Sequence, residues 1–235
     1  QAKKALKAGL SMEQVDALMS GPMGLPPTGL YGLIDLIGLD IMDFVGTNLD
    51  VNLPTDDAGR TYTNFPATEQ AMLECGQLGR KSGGGFYRML KLEDGSKKKE
   101  TFDLIAGDWR DTAVVELDDA HMTLDAMFEE DALGKLCWDI MGGTLIYAAN
   151  LVPDISDDVV NVDRAMRWGF AWNQGPFEML DALGPNCVIE KIRSEGGQVP
   201  KMLKILEQAG VTQFYKNNGI EYLGIDGAYH STPTE

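Results

Sequence analysis

Twenty residues near the start, Gly21 to Asp40 (GPMGLPPTGLYGLIDLIGLD), restrict the chain more than any other stretch. Gly21, Pro22, Gly24, Pro26 and Pro27 crowd together. Such a run cannot be helical, because each proline lacks an N–H and fixes φ while each glycine loosens the backbone. Thr28 stands where an N-cap belongs, and LYGLIDLIG reads as a short, almost wholly apolar helix. One acid, Asp35, sits in the middle of it.

The same device returns in the second half, where Asp181 sits in the short apolar helix GPFEMLDALG after Gly175-Pro176. Two further matches flank it in the same order. Val15-Asp16 with Met19 is answered by Val162-Asp163 with Met166, and Gly79 with Phe86-Tyr87-Arg88 by Gly210 with Phe214-Tyr215-Lys216. Three ordered matches predict a tandem duplication with a boundary in 105–125: a first helical repeat over 1–110 and a second over 111–235. A long apolar helix, about 136–151, precedes the Val-Asp helix of the second repeat. The first keeps only QAKKALKAG, residues 1–9, so its opening helix is expected to lie upstream, in a longer protein.

Between these landmarks the pattern is mainly helical. Ser11 with Gln14 forms a capping box for SMEQVDALMS. Residues 40–49 continue as a helix apolar at Ile41, Phe44, Val45 and Leu49, and residues 67–79 form another. A hairpin is expected to turn at Asp94-Gly95 with its lysine run exposed, and a second at Asn218-Gly219. Residues 107–121 read as a connector. Residues 122–153 hold two helices broken near Leu133-Gly134, Ser156 caps the next, and helices follow at 185–195 and 199–209. The predicted class is all-α, with small β-hairpins.

A formal net charge of −16 argues against a nucleic-acid partner, which needs a basic face. No apolar run has the length of a membrane span. Cys75, Cys137 and Cys187 are odd in number and match no metal spacing, so buried free thiols are expected. GRKSGGG, residues 79–85, departs from the GxxxxGK[ST] spacing and opens no helix after a strand. It reads as a flexible turn whose Arg80 and Lys81 can meet a ligand phosphate as surface charges. His121 and His230 have no Ser, Cys or metal partner nearby in sequence, so neither is assigned a catalytic role. Trp168, Phe170, Trp172 and Phe177 read as core or inter-repeat packing rather than a ligand box. Asp35 and Asp181, at equivalent positions, read as structural braces accepting backbone N–H bonds from the elbow. The residues thus point to a helical part with no catalytic or metal-binding residue of its own.

The motifs GPMGLPPTGLYGLIDLIGLD, GRKSGGGFY and VDRAMRWGFAWNQGPFEMLDALG resemble the C-terminal helical domain of the 3-hydroxyacyl-CoA dehydrogenase family, in tandem. The resemblance implies oxidation of a 3-hydroxyacyl-CoA to the 3-ketoacyl-CoA in fatty-acid β-oxidation, with hydride passing to NAD. Both NAD and the catalytic His–Glu pair would belong to a Rossmann domain outside this chain, which contains no GxGxxG. The partners implied are an acyl-CoA substrate, that Rossmann domain, a fused enoyl-CoA hydratase domain and a homodimer mate, in a bacterial cytoplasm or else a mitochondrion or peroxisome. By position, Pro22, Met23, Gly24, Leu25 and Pro26 are the candidates to face the substrate cleft. The alternative is a non-catalytic helical module that binds acyl-CoA or mediates assembly.

Overall fold

The computed structural model describes Ala5 and residues 8–234. Most of the helix end expected over 1–9 therefore lies outside the described residues. The chain divides into two compact units, Gln1–Ser20 with Pro27–Glu116, and Gly21–Pro26 with Leu117–Glu235.

Unit 1 is built from α1 (Met12–Leu18), α2 (Gly29–Ile37), α3 (Leu39–Asn52) and α4 (Ala67–Glu74), followed by strands β1 (Tyr87–Lys91), β2 (Lys97–Asp103) and β3 (Asp108–Asp111). The expected capping box is present: the Ser11 hydroxyl accepts from Gln14 N, and the Gln14 side chain accepts from Ser11 N. The strands form one antiparallel sheet in the order β1-β2-β3. The β1-β2 turn falls at Asp94-Gly95, where Gly95 takes φ +83° and Asp94 accepts from Ser96. The third strand occupies part of the stretch read as a connector. Arg110 on β3 explains it, pairing through both nitrogens with the buried Glu13 of α1.

Unit 2 carries a helical stretch, α5 (Ala132–Cys137) and α6 (Gly143–Leu151), joined by a single π turn at Trp138–Gly142. The break expected near Leu133-Gly134 instead precedes α5, at Asp131, whose carboxylate caps the helix by accepting from Gly134 N. Helices α7 (Val159–Phe170), α8 (Pro176–Leu183), α9 (Pro185–Ser194) and α10 (Lys201–Gln208) follow, then strands β4 (Tyr215–Lys216), β5 (Glu221–Leu223) and β6 (Tyr229–Ser231). Asp158, not Ser156, caps α7, because its carboxylate reaches Asn161 N while the Ser156 hydroxyl is spent on Asp158 O. Helix α6 packs over α8 and α10 and closes the core on Met179, Leu180, Met202, Leu203 and Leu206.

Several apolar side chains are not where hydrophobicity alone would put them. Ile41, Phe44, Val45 and Leu49 on α3 are all exposed, Phe44 by 70%. Of the aromatic cluster, Phe177 is fully buried, whereas Trp168 and Phe170 are 63% and 62% exposed. The burial expected of the three cysteines holds only for Cys137; Cys75 and Cys187 are exposed. Among the described residues no helix is long and apolar enough to cross a membrane.

Candidate functional site

In unit 1 two carboxylates hold the chain by its backbone. Asp16, on α1, accepts from Tyr31 N at 2.8 Å and Gly32 N at 3.1 Å, the free N–H groups of the first turn of α2. Asp35, on α2, accepts from Phe86 N at 2.8 Å and Tyr87 N at 2.7 Å at the start of β1. The Tyr87 hydroxyl returns to Asp16 at 2.9 Å, so one tyrosine touches both acids. Tyr31 and Phe86 stack edge to face over the junction, with centroids 4.9 Å apart.

Unit 2 contains the same set of contacts. Asp163 accepts from Phe177 N at 2.8 Å, Glu178 N at 3.1 Å and the Tyr215 hydroxyl at 2.7 Å. Asp181 accepts from Phe214 N at 2.6 Å and Tyr215 N at 2.8 Å. Phe177 and Phe214 meet edge to face at 5.0 Å. Each first acid presses against a glycine: a Cβ on Gly29 would lie 2.4 Å from the Asp16 side chain, and one on Gly175 2.3 Å from Asp163. No side chain fits there, which explains why both helices enter through glycine.

Burial sets the electrostatics. Loss of hydration raises all four acids, and the N–H bonds offset only part of that. Asp35 and Asp181 are pushed up to about 6 and Asp163 to about 7, while Asp16 is raised. Tyr87 and Tyr215 are raised too, by burial and then by the carboxylate each faces, and remain donors. These acids act as acceptors for fixed backbone groups rather than as proton shuttles. Asp35 and Asp181 do accept backbone N–H bonds, but the donors are the Phe-Tyr pairs at the start of the strands and not the elbow. The N–H groups just after the elbow go to Asp16. Thr28, expected to cap α2, makes no side-chain cap bond, and its hydroxyl oxygen is buried without a partner among the described residues.

A cleft in each unit is lined in part by these groups, Asp35 and Tyr87 in unit 1 and Asp163, Asp181 and Tyr215 in unit 2. The cleft of unit 1 has a volume of about 550 Å³ and is walled by Thr28, Arg80, Arg88 and Lys99. That of unit 2, about 420 Å³, is walled by Arg164, Arg167 and Glu178. Of the elbow candidates, Met23 is fully buried and its sulfur accepts from Cys137 Sγ at 3.1 Å, so it belongs to the core. Gly24 O accepts from Asn173 N at 2.8 Å. Pro22, Gly24, Leu25 and Pro26 keep part of their surface accessible.

His121 is buried between two acids, Asp118 at 2.5 Å and Asp131 at 3.1 Å. Burial opposes its charge, but the two carboxylates prevail and raise its pKa. It clasps the turn ahead of α5. His230 pairs with Asp226 on the surface at 2.9 Å. Among the described residues no group of three His, Cys, Asp or Glu side chains could hold a metal ion. The strands form two antiparallel sheets, and the described residues contain no parallel β-α-β unit with a glycine-rich turn, the arrangement a Rossmann-type dinucleotide site requires.

Comparison with known proteins agrees with this architecture. Residues 1–89 match the family described as 3-hydroxyacyl-CoA dehydrogenase, C-terminal domain. The chain is 30% identical, over 97% of its length, to a probable 3-hydroxyacyl-CoA dehydrogenase of Bacillus subtilis, and 36% identical, over 76% of its length, to a putative fatty acid oxidation complex trifunctional enzyme of Rickettsia felis. It spans 30% and 25% of those two proteins. A 3-hydroxybutyryl-CoA dehydrogenase from Escherichia coli K12 shares the fold with a TM-score of 0.53 at 18% identity, covering 86% of this chain and 56% of that one. The chain belongs to the 3-hydroxyacyl-CoA dehydrogenase family, with residues 1–89 matching its C-terminal domain.

Proposed function

We propose that this chain is the helical, substrate-clamping part of an NAD-dependent 3-hydroxyacyl-CoA dehydrogenase of fatty-acid β-oxidation, built from two copies of one domain. The reading rests above all on the paired carboxylate latches. Five hydrogen bonds in unit 1 have counterparts in unit 2, on residues matched in order along the chain. This machinery orders backbone and shapes a cleft, and contains no nucleophile, base and oxyanion donor in reach of one another. The base that takes the hydroxyl proton, and the groups that hold NAD, belong in this reading to a domain outside the 235 residues. The trifunctional names among the relatives support further fused domains, and in this reading one of them is an enoyl-CoA hydratase. The exposed apolar stripe of α3 supports an interface role, with another domain or a second copy.

The isolated chain is expected to give no NADH oxidation with acetoacetyl-CoA, while the longer protein containing it turns over. Measurable turnover by the chain alone would overturn the assignment of the catalytic residues. The same stripe keeps the assembly-module reading in play, and an inactive longer protein would favour it.

A further inference from the structure

We propose that the cleft of unit 1 is a binding site for a phosphate ester. The chain carries 36 acids against 20 lysines and arginines. Some cations of the chain have a carboxylate beside them, as Lys81 has Asp40 and Lys98 has Asp111. Arg80 and Lys99 wall the cleft, and neither has a carboxylate partner within ion-pair distance among the described residues. Arg88 beside them is already positioned: its guanidinium pairs with Glu100 at 2.6 Å and lies 4.2 Å over the Trp109 ring. Lys99 rests on the face of Tyr87, 4.0 Å from the centroid. The one acid of the lining, Asp35, spends both oxygens on the Phe86 and Tyr87 N–H groups. The lining therefore presents three cations against one occupied carboxylate.

The corresponding cleft of unit 2 shows what an unavailable version looks like. Its lining holds two arginines against three acids, Asp163, Glu178 and Asp181. Glu178 stands where unit 1 has Gly32, directly after the aromatic residue of each helix start, and pairs with Arg167 at 3.1 Å. The difference in charge between the two linings points to use in one unit only. Clustered cations favour a doubly charged tetrahedral anion over a single carboxylate. A long polyanion is excluded by the net charge of −16.

The cation pattern of this cleft stands whether or not the dehydrogenase reading holds. The chain would be titrated in phosphate-free buffer with inorganic pyrophosphate, adenosine 3′,5′-bisphosphate and CoA, following the backbone amide resonances of Gly83 and residues 86–88. Saturable shifts there are expected, weakened about tenfold or more by Arg80→Ala with Lys99→Ala, and by raised salt. Both side chains are exposed, so the fold should survive. Gly32→Glu, which copies unit 2, should abolish binding; its Cβ would meet nothing nearer than 3.6 Å. Shifts with the nucleotides but not pyrophosphate would support the site and assign the phosphate to a nucleotide-linked ligand. Shifts by pyrophosphate alone, with none from the two esters, would overturn the assignment to a phosphate ester. No saturable shift with any probe, or shifts indifferent to the variants, would overturn the proposal. Binding of CoA elsewhere would overturn it too, while leaving the dehydrogenase reading intact.

Discussion

Units 1 and 2 make the same backbone contacts in different surroundings. Asp163 is almost wholly buried, whereas Asp16 is half-buried at the corresponding place. Three residues earlier on each helix, unit 1 carries Glu13, held by Arg110, Thr101 and the Ala113 N–H, where unit 2 carries the buried Val160. What stays the same is the set of acceptors for backbone N–H groups that the chain geometry leaves without partners. What differs is the side chains around them. A carboxylate holding two fixed N–H groups cannot be exchanged without loss, while a wall residue can become glycine or glutamate, valine or an ion pair.

The largest effect is expected from Asp163→Ala, which strands two N–H groups and the Tyr215 hydroxyl in the core, at a cost of about 3–4 kcal/mol. Asp16→Ala should cost about 1–2 kcal/mol, because water can reach the half-buried donors. Urea unfolding of both variants tests the contrast, and equal losses would break it.

Next comes the Glu13–Arg110 pair. Against the opposing effect of burial, Arg110 holds Glu13 down at about 2. Glu13→Val alone should cost about 2 kcal/mol, since it leaves a half-buried guanidinium without its partner. Adding Arg110→Met should restore most of that, because an apolar contact like that of Val160 replaces the pair. A double variant no more stable than the single one would show that the pair is more than a substitute for apolar packing.

A smaller effect should appear in the pH dependence. Asp35, Asp163 and Asp181 have folded pKa values of about 6, 7 and 6 against 3.8 unfolded. Between those limits the folded state binds more protons, so their contribution to unfolding free energy falls as pH rises from about 4 to 7. His121 has the same sign: its raised pKa gives stability that is full below 6.5 and lost as pH climbs through the folded value. Stability should therefore be greater at about pH 5 than at about pH 8, and Asp163→Asn should flatten the difference. An unchanged slope in that variant would remove Asp163 from the account.

The smallest effect is expected at Thr28. A true N-cap lost to alanine costs about 1 kcal/mol, but here Asp16 serves the helix start. Thr28→Ala should leave the melting temperature within error.

The helices, the two hairpin turns and the capping box were legible because local rules decide them: apolar spacing, Asp94-Gly95 and Asn218-Gly219, and Ser11 with Gln14. The latch was legible only in fragments. Asp35 and Asp181 stood out as acids among apolar residues, but Asp16 and Asp163, on amphipathic helices, carry no such mark. Their place in the first of the three matches was the signal available. Their partners lie 15 to 71 residues away in unit 1, beyond any local pattern. Thr28 failed as a cap for the same reason, since a distant carboxylate had already taken the donors. The exposure of Trp168 and Phe170 was hidden because hydrophobicity alone does not say which side of a helix is covered.

The two-ended grip of Tyr87 has a consequence for how unit 1 opens. Its amide is held by the second acid and its hydroxyl by the first, so α1, α2 and β1 are fastened at one residue. None of the three can peel away without releasing the others. In native-state hydrogen exchange, the amides of Tyr31, Gly32, Phe86 and Tyr87 should then share one opening free energy and behave as a single foldon.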